Sequence, residues 1–271
     1  MDRIKVMGKP IGWGWAIAAL LVLVLALRGC GASRYGTYRN AGRYTPGGFT
    51  YQRGDVSSVE INWISADVKI VQKDSGTLRV SETGNLKKAQ QLHWYLDGDE
   101  LIIQYCESGY RGRIPGRAKE LTVEVPSGID LTVNIVSGDV TLPAGQAYDK
   151  VSINSVSGTV SADDFTADKL EINTVSGDVS IGHFYGDKTD IHTTSGKVEV
   201  GLEACDKAEI ASISGDVTLT SLPAQGATIS YSSLSGRFSG EGYATKDKDY
   251  VFGAGGTKIE VGTTSGNLKV R

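Results

Sequence analysis

Apolar residues recur at fixed distances from a repeated Ser-Gly pair along the C-terminal half of the chain. The glycine of this pair occurs seven times, at Gly138, Gly158, Gly177, Gly196, Gly215, Gly236 and Gly266. Successive glycines are 20, 19, 19, 19, 21 and 30 residues apart. A nearly constant period of this length is typical of a solenoid, in which each repeat stacks on its neighbour.

Within one repeat, the apolar residues stand seven, five and two places before the glycine and two and four places after it. Around Gly177 they are Leu170, Ile172, Val175, Val179 and Ile181. This alternation predicts two short strands, each with one inward face. We expect the glycine to turn the chain between them, because it accepts backbone angles that side chains forbid. Equivalent strands of successive repeats then pair in parallel about 4.8 Å apart, which predicts apolar columns and one continuous core.

The same offsets recur earlier in the chain around Ala66, which predicts a first, diverged coil that begins near Val59. We expect residues 57–130 to form irregular coils and a cap, because the ends of a solenoid expose unpaired strand edges. Residues 131–271 are expected to form the regular repeats. The sequence therefore predicts an all-β fold, a parallel β-helix with coils of 19–21 residues. We expect the helix to be right-handed, since parallel crossovers usually have that hand.

An insertion from Glu241 to Gly256 explains the 30-residue gap before Gly266. The sequence then ends on a repeat strand, and we expect the insertion to fold back over the open end. Two alternatives remain. Lys269 and Arg271 blunt the strand edge by their charge, or the open end stacks on a second copy of the chain.

The N-terminal segment differs from the rest, because residues 11–27 are 17 uncharged and mostly apolar residues. A run of this length is at the short end for a membrane-spanning helix. We predict a short basic tail at 1–10, one transmembrane anchor at 11–28 and a flexible stalk rich in Gly, Tyr and Arg at 29–56. The chain would cross the cell membrane once, with the residues after about 29 outside the cytoplasm. A cleaved secretory signal and a lipidated Cys30 are the two alternatives.

Composition and charge exclude several functions. The formal net charge is −3 and no basic stripe is interleaved with aromatic residues, so nucleic-acid binding is not indicated. Three cysteines, Cys30, Cys106 and Cys205, are far apart and odd in number. They predict neither a disulfide framework nor a metal site. No glycine-rich phosphate loop follows a strand and opens a helix, and we predict no cofactor.

Two kinds of polar column are the candidate binding features of the repeats. The position after the glycine reads Asp139, Thr159, Asp178, Lys197, Asp216, Arg237 and Asn267. We interpret this column as a surface charge ladder of small energetic value, in which stacked acids and bases neutralise one another, rather than as a calcium site.

Hydroxyl side chains stand three places and one place before the glycine. Because the apolar position between them is expected to face inward, both columns should face outward. The candidate binding ladder comprises Thr174, Ser176, Thr193, Ser195, Ser212 and Ser214. Such an array suits binding to ice or to a glycan surface, whereas the alternative is that each hydroxyl bonds the backbone of its own turn.

Catalytic signals are weak. The adjacent acids Asp163 and Asp164 are the single such pair inside the repeats, and neighbouring carboxylates in one exposed loop are usually just solvated. The three histidines have no metal-binding spacing, and no serine lies in a nucleophile elbow. We therefore predict no catalytic residues and no enzyme. A carbohydrate-active β-helix enzyme that uses paired carboxylates is kept as an alternative.

Two further motifs accompany the Ser-Gly units. They are Ser65-Ala66-Asp67-Val68-Lys69-Ile70 and Asp97-Gly98-Asp99-Glu100-Leu101-Ile102-Ile103. With these motifs, residues 50–271 resemble the bacterial "putative-adhesin" family of parallel β-helix proteins, a domain of unknown function. The resemblance implies an envelope-associated, often membrane-anchored protein, and it supplies no catalytic residues. The expected partners are the membrane, a surface glycan or an envelope protein, with end-to-end self-association also open. A structural or stress-sensing subunit of a membrane system is the alternative function.

Overall fold

The computed structural model of this chain describes residues 37–52, 56–73, 76–113, 115 and 118–271. The predicted tail, the transmembrane anchor and Cys30 lie outside these residues. Within the described ranges the regular structure is β-strand, apart from two short 3-10 helices. No helix among those residues is long and apolar enough to cross a membrane.

The regular coils follow one another from β9 to β18. The strands are β9 (Asp130–Ser137), β10 (Val140–Leu142), β11 (Gln146–Ser157), β12 (Val160–Ala162), β13 (Phe165–Ser176), β14 (Val179–Tyr185), β15 (Lys188–Ser195), β16 (Val198–Ala204), β17 (Lys207–Ser212) and β18 (Val217–Ser221). Each strand pairs in parallel with the equivalent strand of the next coil. This arrangement confirms the predicted all-β solenoid.

The inward columns hold the coils together. Ile153, Ile172, Ile191 and Ile210 occupy the same position in four successive coils and pair in that order. All four side chains are buried in one core that runs through the stack. Burial of an aliphatic side chain contributes roughly 1.5–3 kcal/mol, so each coil is stabilised mainly by its neighbours.

Glycine recurs at the turn because the adjacent coil leaves no room for a side chain, and not only because of the backbone angles. A Cβ atom built on any of the seven repeat glycines would lie 1.8–2.2 Å from the carbonyl oxygen of the residue at the same position in the adjacent coil. Only Gly138, Gly158 and Gly196 also have a positive φ. Close stacking of the turns therefore excludes side chains at every coil. The column ends at Ala66, the equivalent residue of the first coil, which carries a side chain.

The N-terminal end is assembled out of chain order. Its elements are the 3-10 helices η1 (Ala41–Arg43) and η2 (Lys88–Gln90) and strands β1 (Thr45–Pro46), β2 (Phe49–Gln52), β3 (Ser58–Ser65), β4 (Val68–Gln72), β5 (Thr77–Glu82), β6 (His93–Asp97), β7 (Glu100–Gln104) and β8 (Leu121–Val125). Strand β3 pairs with β9 on one side and with β7 on the other, and β4 lies likewise between β10 and β8. The coil made of β7 and β8 is therefore outermost, although it follows β3 and β4 in sequence.

Part of the predicted flexible stalk is ordered. Strand β1 pairs antiparallel with β6, and β2 pairs antiparallel with β5. The Phe49 ring stacks on Trp94 with centroids 4.1 Å apart, and Tyr51 meets the same indole edge-on. Aromatic packing of this kind holds residues 45–52 against the cap, so the expectation of flexibility is corrected for these residues.

The C-terminal end is also out of order. Its strands are β19 (Gly226–Ser233), β20 (Phe238–Ser239), β21 (Tyr243–Lys246), β22 (Asp249–Gly253), β23 (Thr257–Thr263) and β24 (Leu268–Val270). Strand β23 lies between β17 and β19, and β24 lies between β18 and β20. The hairpin β21–β22 pairs antiparallel with β19. The insertion thus covers β19, whereas the last strand of the sequence, which we expected at the open end, lies inside the stack.

Candidate binding surface

The predicted outward hydroxyl ladder is half buried. Thr174, Thr193 and Ser212, three places before the glycine, expose 1%, 6% and 3% of their surface. Strand alternation explains the correction, because positions seven, five and three before the glycine share one parity and one face. Ser176 and Ser214, one place before the glycine, are exposed, and Ser195 is half-buried. The six hydroxyls therefore do not form one binding array.

The apolar residues two places before the glycine instead face outward. Val136, Val156 and Val175 are half-buried on the outer surface, and Ile213 is exposed. In the outermost C-terminal coil the equivalent residue is Leu234, which is 85% exposed. This outer apolar column, which we expected to point inward, becomes more exposed toward the C-terminal end.

The same outer face carries parallel rows of lysines and acids. In successive coils, Lys169 pairs with Glu171 at 2.9 Å and Lys188 pairs with Asp190 at 2.7 Å. Burial raises the pKa of Glu171, but the hydrogen bond and charge of Lys169 outweigh it and hold the pKa below its ordinary value. The hydrogen bond to Asp190 raises the pKa of Lys188. The charges on this face thus satisfy one another.

An asparagine ladder runs beside these ion pairs. The amide of Asn134 donates to Asn62 at 3.0 Å, Asn154 donates to Asn134 at 2.9 Å, and Asn173 donates to Asn154 at 3.1 Å. His192 occupies the next position of the column, and burial lowers its pKa. Stacked amides are typical of parallel in-register strands. Their donors and acceptors are largely used within the face.

The column after the glycine joins coils rather than balancing charge. Asp139 accepts a hydrogen bond from the backbone N–H of Thr159, and Asp178 accepts one from the N–H of Lys197, both at 2.7 Å. The Lys197 ammonium pairs with Glu199 at 2.5 Å instead of with the stacked aspartates. The interpretation as mutually neutralising charges is therefore wrong, because the carboxylates are held by backbone donors.

One member of the candidate acid pair, Asp164, pairs with a histidine of the next coil. Asp164 contacts Nδ1 of His183 at 2.7 Å, and Nε2 of the same ring lies 3.7 Å from Glu203. These side chains come from three successive coils; Asp164 is exposed, and His183 and Glu203 are half-buried. The two ring nitrogens point to different carboxylates, so the three groups do not converge on one point. No group of His, Cys, Asp or Glu in the described part of the chain is arranged to hold a metal ion.

One buried ammonium group lies inside the N-terminal cap, and no sequence pattern predicts it. The Lys119 ammonium is fully buried, 3.2 Å from the Glu82 carboxylate and 4.2 Å from the ring centre of Tyr105. It donates to the carbonyl of Gln90 at 2.5 Å and also to that of Tyr105. Burial lowers the pKa of Lys119 and raises that of Glu82. The pair fixes the cap loops and is closed to solvent.

An aromatic cluster occupies the C-terminal tip. The Phe238 and Tyr250 rings stack with centroids 3.6 Å apart, and Tyr243 meets Tyr250 edge-on at 5.1 Å. Tyr243 is 39% exposed, and its whole strand β21 faces solvent. Leu234 lies in the turn of the same terminal coil and is also exposed, so this end of the stack presents apolar groups that the rest of the surface largely hides. We call the exposed residues Leu234 and Tyr243 the tip surface.

Comparisons with known proteins agree with this architecture. The family model described as Toastrack DUF4097 matches residues 56–236 and 144–271. A "putative adhesin" from Bacteroides fragilis has a similar structure, with a TM-score of 0.54 and 14% identity, over 83% of this chain and 96% of the other. That likeness supports the fold.

Two further solved structures are similar. A "putative cell adhesion protein" from Clostridium sporogenes has a TM-score of 0.35 and 11% identity, over 83% of this chain and 99% of the other. A "putative adhesin" from Parabacteroides distasonis has a TM-score of 0.42 and 13% identity, over 84% and 97%. Among curated proteins, none matches this sequence.

Proposed function

This chain belongs to the Toastrack DUF4097 family, as the resemblance in the sequence indicated, and from that premise we propose that it is a non-enzymatic envelope protein that displays a β-solenoid for surface binding. In this proposal residues 11–28 anchor the chain in the cell membrane as a single span, and the residues after about 29 lie outside the cytoplasm. The uncharged run at 11–27 supports the anchor. The adhesin descriptions of the structural neighbours are in keeping with a surface role.

The distribution of exposed apolar side chains is the observation that carries the proposal. Among the described residues, four large apolar side chains are exposed: Tyr185, Ile213, Leu234 and Tyr243. Three of them lie in the last three coils or the hairpin that covers them. Exposed apolar groups concentrated at one end of a molecule are typical of a contact surface, whereas the laddered face has used most of its polar groups internally. We therefore assign binding of a surface glycan or an envelope protein to the tip surface.

A matched pair of variants tests this assignment. Burial of one leucine side chain contributes roughly 1.5–3 kcal/mol, so Leu234→Ser together with Tyr243→Ser is expected to weaken binding by at least about tenfold. Tyr185→Ser is the control, because Tyr185 is 40% exposed and Tyr243 39%, but Tyr185 lies in the middle of the stack. The measurement is retention of the labelled full chain on isolated bacterial envelopes and on a glycan panel. Binding that falls equally in both variants, or no binding by the unaltered chain, would contradict the proposal.

A further inference from the structure

We propose that the N-terminal end of the solenoid carries a cationic face that rests on anionic lipid headgroups. This basal face consists of residues 37–39, 87–90 and 107–113. The inference rests on the proposed membrane anchor, but it concerns a different part of the chain and a different kind of contact.

Hydrogen bonds bring the three segments together at the outermost coil. The backbone N–H of Tyr38 donates to the Ser108 hydroxyl at 2.8 Å. The backbone N–H of Glu107 donates to the Ala89 carbonyl at 3.1 Å. The Gln90 side chain donates to the carbonyl of Arg113, also at 3.1 Å. The three segments therefore form one continuous surface beside the strands of the N-terminal cap.

The charge of this surface is strongly one-sided. Its cations are Arg39, Lys87, Lys88, Arg111 and Arg113, and all five are exposed. Its single carboxylate is Glu107. The ion pairs between described residues use other cations, such as Lys169 and Lys188 on the laddered face. The basal face thus offers several unneutralised charges to an external anion.

The buried lysine of the cap keeps this surface in shape. Lys119 donates to the carbonyl of Gln90 in one segment and to the carbonyl of Tyr105 just before another. One internal ammonium therefore ties the helix that carries Lys88 to the loop that carries Arg111. A backbone fixed in this way loses little conformational entropy on binding, which favours docking.

The sequence favours a bilayer as the partner. The apolar run ends at residue 27, and nine residues separate it from residue 37. Nine extended residues span at most about 32 Å. A solenoid tethered by that run therefore holds its basal face within reach of the headgroups. Each basic residue next to a membrane anchor raises the affinity for anionic lipid by about fivefold.

The test uses the full chain reconstituted into vesicles of phosphatidylcholine alone or of phosphatidylcholine and phosphatidylglycerol at about three to one. Amide hydrogen exchange is measured in the three basal segments. We expect added protection in anionic vesicles, and we expect raised salt to remove it, because salt shortens the Debye length. The variant Arg39→Gln, Lys88→Gln, Arg111→Gln should lose the protection.

A control removes the same number of charges at the other end of the stack. Lys246→Gln, Lys248→Gln, Lys269→Gln should leave the protection unchanged, since these three lysines are exposed in the hairpin and the last strand of the sequence. Equal protection in both vesicle types, or equal loss in both triple variants, would overturn the proposal. Equal protection by soluble polyphosphate would also overturn the proposal, because the ligand would then be any soluble polyanion rather than lipid.

The anchor is tested separately by flotation with phosphatidylcholine vesicles, which present no net negative charge. If the chain floats but gains no protection with anionic lipid, the anchor stands and the basal face fails. If it does not float, the anchor fails. Salt-reversible sedimentation with anionic vesicles then still tests the basal face, with about a hundredfold difference expected between the basal triple variant and the unaltered chain.

Discussion

Substitution of one repeat glycine by alanine tests the stacking argument most directly. Gly177 is the best choice, because its φ does not lie in the left-handed region and alanine meets no backbone strain there. A Cβ atom at this position would lie 2.0 Å from the carbonyl oxygen of Gly158, whereas ordinary contact begins at 3.4 Å. The two coils must therefore separate locally by about 1.4 Å to restore ordinary contact, the difference between 3.4 Å and 2.0 Å.

Separation of the coils damages the hydrogen bonds beside the turn. The N–H of Val160 donates to the Asp178 carbonyl at 2.9 Å across this interface, and a shift of that size breaks the bond. Overpacking costs roughly 1–3 kcal/mol, and a lost hydrogen bond costs about 1 kcal/mol more. We expect Gly177→Ala to lower the free energy of unfolding by about 3 kcal/mol. The melting temperature should fall by about 6–12 °C, since 1 kcal/mol corresponds to about 2–4 °C at this size.

Thermal unfolding followed by circular dichroism measures the effect, and hydrogen exchange locates it. Because each coil contacts only its neighbours, lost protection should concentrate in β11 to β14. Gly42→Ala is the control, since no atom lies within 4 Å of a Cβ built there and its φ is not positive. Equal melting temperatures for the two variants would refute the clearance argument.

Three further predictions follow from the columns and the cap. Asp178→Ala removes the acceptor of a backbone N–H and should lower the free energy of urea unfolding by about 1 kcal/mol. Thr159→Ala in the same column should lower it little. Equal losses would contradict the role of Asp178 in joining adjacent coils. Lys119→Met leaves Glu82 buried without its cation and should cost about 3–5 kcal/mol; adding Glu82→Gln should restore most of that loss, and no recovery would argue against the ion pair. Burial lowers the pKa of His192 below its unfolded value of about 6.5, so the folded state should lose stability as pH falls through the folded pKa. His192→Asn should extend the amide ladder and reduce the change of the urea midpoint between pH 7.5 and 5.5. An unchanged dependence of the midpoint on pH would show that this histidine is not its cause.

The sequence predicted the stack well, because its signal repeats. Ile172 and Ile210 were expected inside and are inside. The diverged coil around Ala66 pairs in the expected register, with Ser65 opposite Ser137. A period of 19–21 residues fixes which residues are equivalent, and parallel in-register pairing then follows from the spacing of strands.

The candidate site was harder to predict for a physical reason. The apolar character of Val175 predicts an inward side chain there and an outward one at Thr174, but the strand keeps its period of two up to the turn. β-branched residues also suit an outer strand surface, so their type does not tell the two faces apart. The buried Lys119 had no local signal, because its partners come from distant parts of the chain.

The order of coils at the ends was likewise beyond the repeat pattern. Equivalent coils have similar edges, so periodicity alone does not say which two become neighbours. Strand β23 follows β19 in sequence and yet lies between β17 and β19. The long gap before Gly266 is the only trace of this arrangement, and it equally fitted a simple insertion.

This interleaving has a consequence for synthesis on the ribosome. Residues 226–239 emerge before residues 257–270, but they have no completed sheet to join until the later segment fills the slot between them and residues 207–221. The tip therefore matures only after residues 257–270 have emerged. A nonsense mutation near residue 256 would leave unpaired edges on the strands at 207–221 and at 226–239, rather than a shorter solenoid. A fusion partner added after Arg271 would leave the molecule from the side of the stack and not from its C-terminal tip.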